Sequence, residues 1–247
     1  MLFLNRFFLV LSVMTIFSAI SGAEKIRVAL FLDEGAHARN HLVDALSNAG
    51  DMSFSTMDGE SLREGQLNDF DVLVVPGGSA QRESISMKAA GRTEVRRFVN
   101  KGGIYLGICA GCYLLTQSKP NDLGLLPLHT LPHWRRGKGV LPIELTAQGK
   151  EIFGVNQSMI EVLYHNGPVI TTSGVTPESH FTVLGYFGKE LVEKGGQPGV
   201  MVNTPAMFFG RYGKGQVLGI SPHPEASESQ VNMELNAIRW LYSHRNQ

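Results

Sequence analysis

GIYLGICAGCYL, at residues 103–114, combines an apolar run with a cysteine that stands between two glycines. Residues 103–108 are predicted to form a buried strand, and residues 110–117 a helix that begins directly after it. Cys109 occupies the turn, and Gly107 and Gly111 leave room for a strained backbone in this G-x-nucleophile-x-G elbow. The helix N-terminus favours a thiolate, so Cys109 is predicted to be a nucleophile. The alternative is a buried cysteine in a tight turn.

Strand and helix signals alternate along the chain on both sides of this elbow. Before it, strands are predicted at 25–32, 52–57 and 70–75, and helices at 37–49 and 93–100. After it, strands are predicted at 139–145, 159–164, 181–187, 199–202, 206–212 and 216–221, with a hairpin turn at 211–216 and a closing helix at 228–242. Near-continuous apolar strands that alternate with helices indicate a mostly parallel sheet covered on both faces, in one α/β domain.

Glycines at the end of the third strand offer a second element of a site. Ligands bind beyond the carboxyl ends of parallel strands, and these ends are predicted at 33–36, 76–79, 109–111 and 222–225. In P-G-G-S, the backbone of Gly77 and Gly78 is bare enough to bring N–H groups against a substrate oxygen. Together with the N–H of Ala110, they are predicted to form an oxyanion hole. The alternative is an ordinary glycine-rich turn.

A histidine and a glutamate follow the last predicted strand, in the sequence S-P-H-P-E at 221–225. Flanking prolines hold this backbone extended, and residues two apart then point to the same side. His223 is therefore predicted to accept the thiol proton of Cys109, and Glu225 to orient the imidazole. The alternative is a surface histidine in a proline-rich turn.

The order P-G-G, G-x-C-x-G and H-P-E at strand ends resembles the class I glutamine amidotransferase-like superfamily, over residues 25–242. The resemblance implies a flavodoxin-like three-layer sandwich and a triad of Cys109, His223 and Glu225. The string at 107–114, with YHNGP at 164–168, is similar to the amidotransferase-like domain at the N-terminus of some biotin–protein ligases.

Two departures from the superfamily change the expected activity. Tyr113 stands where its glutaminases usually carry a glutamine that holds the substrate amide. No ammonia-accepting synthase domain, ligase domain or G-x-x-x-x-G-K-[ST] loop is recognised. We therefore expect a cysteine hydrolase or amidase of a small amide, peptide or acyl compound, without a cofactor. A non-catalytic module that binds a ligand or partner on the same scaffold is the competing hypothesis.

The remaining polar residues support weaker hypotheses. Cys112 makes a C-x-x-C pair with Cys109, which leaves a thiol redox protein as a further alternative. Residues 33–35 are a candidate second wall of the pocket, whereas residues 164–166 are assigned mainly to a turn. Six of the other histidines show no metal-ligand spacing, so no metal site is predicted; they are His37, His129, His133, His165, His180 and His244.

The first 23 residues have the layout of a secretory signal. One positive charge precedes an apolar run at 7–20, and Ser21, Gly22 and Ala23 are small residues of the kind a signal peptidase reads. We expect cleavage after Ala23 and export to the periplasm or the medium, with residues 24–247 as the mature domain and no stable membrane span. An uncleaved anchor is the alternative. With 22 basic and 22 acidic residues the chain has no electrostatic footprint for nucleic acid.

Overall fold

A computed structural model describes residues 24–131, 137–171, 181–193 and 196–246, so the predicted signal peptide, His133 and His180 lie outside the described residues. The described strands are β1 Ile26–Phe31, β2 Ala36–His37, β3 Met52–Met57, β4 Val72–Val75, β5 Gly77–Gly78, β6 Ile104–Ile108, β7 His129–Thr130, β8 Lys138–Leu145, β9 Met159–His165, β10 Ile170–Thr171, β11 Phe181–Phe187, β12 Pro205–Tyr212 and β13 Gly215–Ile220. The described helices are α1 Asn40–Asn48, α2 Gly59–Arg63, α3 Ala80–Asn100, α4 Ala110–Leu114, α5 Ala147–Phe153 and α6 Asn232–Ser243. Short 3-10 turns cover Gln66–Asp69 and Pro224–Ala226.

Nine strands form the main sheet, in the order β3-β1-β4-β6-β13-β12-β11-β8-β9. From β3 to β13 all neighbours run parallel, which is the 2-1-3-4-5 order of flavodoxin-like folds. The four strands beyond β13 extend this parallel part with antiparallel pairs. The predicted parallel α/β sheet is confirmed, and the carboxyl ends of β4, β6 and β13 lie side by side.

Helices cover both faces of the sheet and enclose two hydrophobic cores. Successive side chains of a strand point to opposite faces, so Val28 and Leu30 of β1 enter one core while Ala29 and Phe31 enter the other. Helices α1, α5 and α6 bury their apolar residues in the first core, and α2, α3 and α4 in the second. The predicted three-layer sandwich is therefore confirmed.

The expected strand at 199–202 is wrong. These residues form bends and a turn, because Gly199 has φ 77° and Asn203 has φ 62°, and neither value fits an extended ladder. The hairpin at 211–216 is confirmed, since β12 and β13 pair across a two-residue turn in which Gly213 has φ 60°.

Helix boundaries differ from the prediction at four places, one of which is α6, which begins at Asn232 instead of 228. Helix α3 begins at Ala80 instead of 93, because the Ser79 hydroxyl caps it and its first half buries few apolar residues that a pattern would reveal. Lys88 has φ 56° and kinks this helix. Helix α1 begins at Asn40, since His37 belongs to β2, and α4 ends at Leu114. No described helix is long and apolar enough to cross a membrane.

Candidate functional site

The backbone at Cys109 has the strained conformation expected of a nucleophile elbow, with φ 49° and ψ −93°. Hydrogen bonds hold it from both sides: Cys109 N–H donates to the Ile220 carbonyl at 2.8 Å, and Gly111 N–H to the Pro76 carbonyl at 3.2 Å. A Cβ atom on Gly111 would collide with the Val75 carbonyl. The glycines of the motif are thus required by close approach of neighbouring backbone.

His223 and Glu225 are brought together at the end of β13. Imidazole Nδ1 and carboxylate Oε1 are 2.7 Å apart, and both side chains are buried. His223 N–H donates to the Leu163 carbonyl at 2.7 Å, which fixes the position of the backbone. The predicted side-by-side placement of the two residues is observed.

The side chains of His223 and Cys109 both lie against the backbone of Gly77. A Cβ atom placed on Gly77 would lie 2.8 Å from Cε1 of His223 and 3.6 Å from Cβ of Cys109. Both side chains therefore pack against the same bare backbone, so the three residues share one site. Sequence analysis predicted Gly77 only as an oxyanion or substrate contact; in the structure it also makes room for the imidazole.

The charge of His223 is set by its neighbours. Burial disfavours an imidazolium, but the adjacent Cys109 and Glu225 outweigh burial and raise the pKa of His223 to about 10. Nε2 makes no hydrogen bond of standard geometry, and the thiol of Cys109 donates to the His165 carbonyl at 3.5 Å. At neutral pH the imidazole is thus protonated beside the sulfur.

The predicted oxyanion donors face the same space. Ser79 N–H donates to the Gly35 carbonyl at 2.9 Å, and β2 pairs with β5 in antiparallel register. Hydrogen-bonded and non-hydrogen-bonded pairs alternate in such a ladder, so the N–H of Gly78 points away from β2. Ala110 is the first residue of α4, where an N–H has no intrahelical acceptor. Both N–H groups are therefore available to a ligand.

A cavity of about 680 Å³ opens above the cysteine, and Cys109, His223, Gly77, Gly78, Ala110 and Tyr113 all contribute to its wall. The other lining residues are Gly35, His37, Ala38, Arg39, Ser79, Ala80, Gln81, Arg82, Lys119, His165 and Asn166. A second cavity, of about 700 Å³, lies around Lys101 and Arg211 at the other end of the strands and includes no triad residue.

The weaker candidates divide between pocket and scaffold. Tyr113 lines the cavity, and its hydroxyl donates to the Asn166 carbonyl at 3.2 Å. Tyr164 is fully buried and donates to the Gly167 carbonyl at 2.7 Å, so it belongs to the core. Asp33 accepts the N–H of Gly59 at 2.8 Å, which gives it a structural role.

Several cationic side chains of the cavity were not identified from the sequence. Arg39, Arg82 and Lys119 line it, and Nε of Arg39 lies 3.6 Å from Oε1 of Glu225. Arg39 and Arg82 follow strand ends within a few residues, which is the positional signal that could have revealed them. In the described part of the chain, no group of three or more His, Cys, Asp or Glu could hold a metal ion.

Cys112 has a different environment from Cys109. It is fully buried in the second core, whereas Cys109 belongs to the first, and the two thiols are free. Burial, and then the neighbouring Cys109, raise the pKa of the Cys112 thiol well above its usual range. Cys112 is therefore a neutral core residue, which gives no support to a C-x-x-C redox pair.

Fold and site together define a class of protein: an α/β sandwich with a cysteine elbow and a histidine–glutamate pair on adjacent parallel strands. Residues 37–121 match the family described as biotin-protein ligase, N terminal. Phosphoribosylformylglycinamidine synthase subunit PurQ of Symbiobacterium thermophilum is 26% identical over 182 residues, which cover 67% of this chain and 74% of the relative.

Solved structures share the architecture. The structure of PurLQS from Thermotoga maritima superposes with a TM-score of 0.61 at 17% identity, over 88% of this chain and 99% of that one. A glutamine amidotransferase from Thermotoga maritima gives a TM-score of 0.50 at 16% identity, over 90% of each chain. The family match, the relative and the solved structures support the predicted resemblance of this chain to the class I glutamine amidotransferase-like superfamily.

Proposed function

We propose that this chain is a thiol-dependent amidase or hydrolase of a small amide, peptide or acyl compound. Cys109 serves as nucleophile, His223 as proton carrier and Glu225 as its orienting carboxylate. The observation that carries the proposal is the strained elbow at Cys109 beside a buried imidazole that is 2.7 Å from a carboxylate. A strained, glycine-framed thiol next to an imidazolium in an open cavity is what acyl transfer requires.

The geometry suggests a two-step reaction. His223 takes the proton of the Cys109 thiol, and the resulting thiolate attacks the substrate carbonyl carbon. A carbon–sulfur bond forms while the oxygen takes negative charge near the N–H groups of Gly78 and Ala110. His223 gives its proton to the leaving amine as the carbon–nitrogen bond breaks. Water then attacks the thioester, its proton passes to His223, and the carboxylic acid leaves as the carbon–sulfur bond breaks.

Thiol labelling tests the proposal without knowledge of the substrate. In the purified chain, iodoacetamide should modify Cys109 rapidly, and His223→Ala should slow that reaction by on the order of a hundredfold. Because the pKa of His223 is about 10 instead of 6.5, the wild-type rate should stay high between these pH values. The rate is measured by mass spectrometry of the peptide that contains Cys109.

His129→Ala is the matched control, since His129 is exposed and does not line the cavity. It should label at the wild-type rate. Slow labelling in the wild type and in His223→Ala alike would instead favour a non-catalytic binding module. Rapid labelling that is independent of His223 would contradict the triad.

We also propose that residues 1–23 direct export and are removed after Ala23, because of the charge and apolar pattern of this segment. The intact mass of protein recovered from the periplasm or medium of expressing bacteria should then begin at Glu24. Recovery of the full-length chain in the cytosolic fraction would refute this proposal.

A further inference from the structure

The cavity above Cys109 is lined by cations without a matching acid. Arg39, Arg82 and Lys119 contribute fixed positive charges, and only Arg39 of these three lies within ion-pair distance of a described carboxylate, 3.6 Å from Glu225. Among the described residues that line the cavity, none is an aspartate or a glutamate. This imbalance is local, because the whole chain has 22 basic and 22 acidic residues.

Two of these cations are not engaged by the protein. Arg39 is near Glu225, but the side chains of Arg82 and Lys119 make no hydrogen bond or ion pair within the described part of the chain, and both residues are exposed. Asp122 accepts the backbone N–H of Lys119 at 2.8 Å, yet it does not line the cavity. The positive charges of Arg82 and Lys119 are therefore available to bind a ligand.

The acid next to Arg82 in the sequence does not neutralise it. Glu83 points into the interior and is fully buried, and burial raises its pKa to about 8. The carboxyl group is therefore mostly neutral at pH 7. A cleft with unopposed cations and apolar surroundings concentrates anions, and a guanidinium fits a carboxylate through two parallel hydrogen bonds.

We infer that the substrate of this site is an anionic amide or acyl compound, whose carboxylate or equivalent group is held by Arg82 and Lys119 while its carbonyl meets Cys109. The inference rests on the proposed function. A free α-ammonium group is disfavoured, because the described lining offers it no carboxylate and several like charges. Glutamine is accordingly a poorer substrate than glutaramate, which is glutamine without the α-ammonium group.

Two alkylating reagents that differ in one charge test the inference. Iodoacetate and iodoacetamide both react by displacement of iodide, with a new carbon–sulfur bond at Cys109. The measured quantity is the second-order rate constant for iodoacetate divided by that for iodoacetamide, with the purified chain. In the double variant R82Q/K119Q this ratio should fall by about tenfold at low ionic strength, and by about threefold in each single variant. Added salt should lower the wild-type ratio in the same direction.

Lys101→Gln is the matched control, because Lys101 is exposed and lies at the opposite end of the strands. It removes one positive charge and should leave the ratio unchanged. The iodoacetamide rate, which should change by less than about twofold in the variants, shows whether each variant is folded; if the double variant fails this check, the single variants carry the test.

The outcomes separate the inference from the proposed function. A ratio that stays at the wild-type value in the folded variants, while iodoacetamide still reacts rapidly, overturns the anionic substrate and leaves the triad intact. Slow reaction of wild-type Cys109 with both reagents overturns the proposed function itself. Amide hydrolysis gives a second readout, in which glutaramate should exceed glutamine in kcat/KM by about tenfold; the reverse order would contradict the inference.

Discussion

Two buried groups of polar residues lie on opposite faces of the sheet, one on each side of β6. The charged group consists of Cys109, His223 and Glu225, and Arg39 lies beside its carboxylate. The neutral group consists of Cys112, Tyr105 and Glu83, for which burial raises each pKa. Only the first group contains cations and opens to a cavity.

The comparison shows that a short stretch of chain supports both chemistry and structure. Cys109 and Cys112 are three positions apart, yet α4 turns one toward the cavity and the other into the second core. A charged group needs partners of opposite sign to remain charged when buried, whereas an acid without such partners keeps its proton. The charged group is suited to catalysis, and the neutral group to packing around the elbow.

Replacement of each cysteine in turn should give the largest contrast. Cys109→Ala removes the nucleophile and should lower turnover by several powers of ten. Cys112→Ala removes only a buried sulfur, so it should keep most turnover and lose about 1 kcal/mol of stability. Turnover is measured on the amide that is hydrolysed fastest in a panel of small primary amides. Equal loss of turnover in both variants would break the distinction between the two groups.

Gly77→Ala should have a smaller effect, confined to the charged group. The new methyl group would lie 2.8 Å from Cε1 of His223, so the ring must shift from its place beside Cys109. Labelling of Cys109 by iodoacetamide should slow by about tenfold or more. Gly50→Ala is the control, because no atom lies within 4 Å of its added Cβ. Unchanged labelling in Gly77→Ala would show that the ring has room to adjust.

Glu83→Gln should affect stability instead of reactivity. In the unfolded chain Glu83 ionises near pH 4.5, but the folded protein holds its proton to about 8. The folded state therefore loses stability as pH rises from 4.5 to 8, and the loss is constant above that range. The neutral amide avoids this cost and should add on the order of 2 kcal/mol near pH 7 but under about 1 kcal/mol at pH 5.

Thermal unfolding at several pH values measures this effect, and Glu228→Gln, an exposed carboxylate, is the control. The stabilisation should be absent in the control and should grow with pH in Glu83→Gln. A gain in stability that is independent of pH would mean that Glu83 is ionised throughout, and that the neutral group contains a charge.

The burial of Glu234 next to the triad could not be predicted from the sequence. Glu234 is fully buried in the first turn of α6, and burial, then the neighbouring Glu225, raise its pKa well above the usual range. In the sequence it stands in an amphipathic helix, where a glutamate is ordinarily a solvent-facing residue. Only the packing of α6 against the turn at Pro224–Ala226 reveals its burial.

The sequence by itself determined the parallel half of the sheet, the elbow and the histidine–glutamate pair. Each of these depends on local patterns: apolar runs of strand length, glycines required by close backbone approach, and a two-residue spacing in an extended segment. The failed strand at 199–202 and the late start of α3 occur where the local pattern is weak and the backbone geometry depends on distant contacts.

Tertiary structure alone decided which side chains line the cavity and which charges they keep. Arg82, Lys119 and Arg39 come from separate segments, and their unopposed charge is visible only when the acids near them in sequence are seen to point elsewhere. Burial and electrostatic pairing act through space, so the same residue type is a hydrogen-bonded partner of His223 at Glu225 and a buried neutral acid at Glu83.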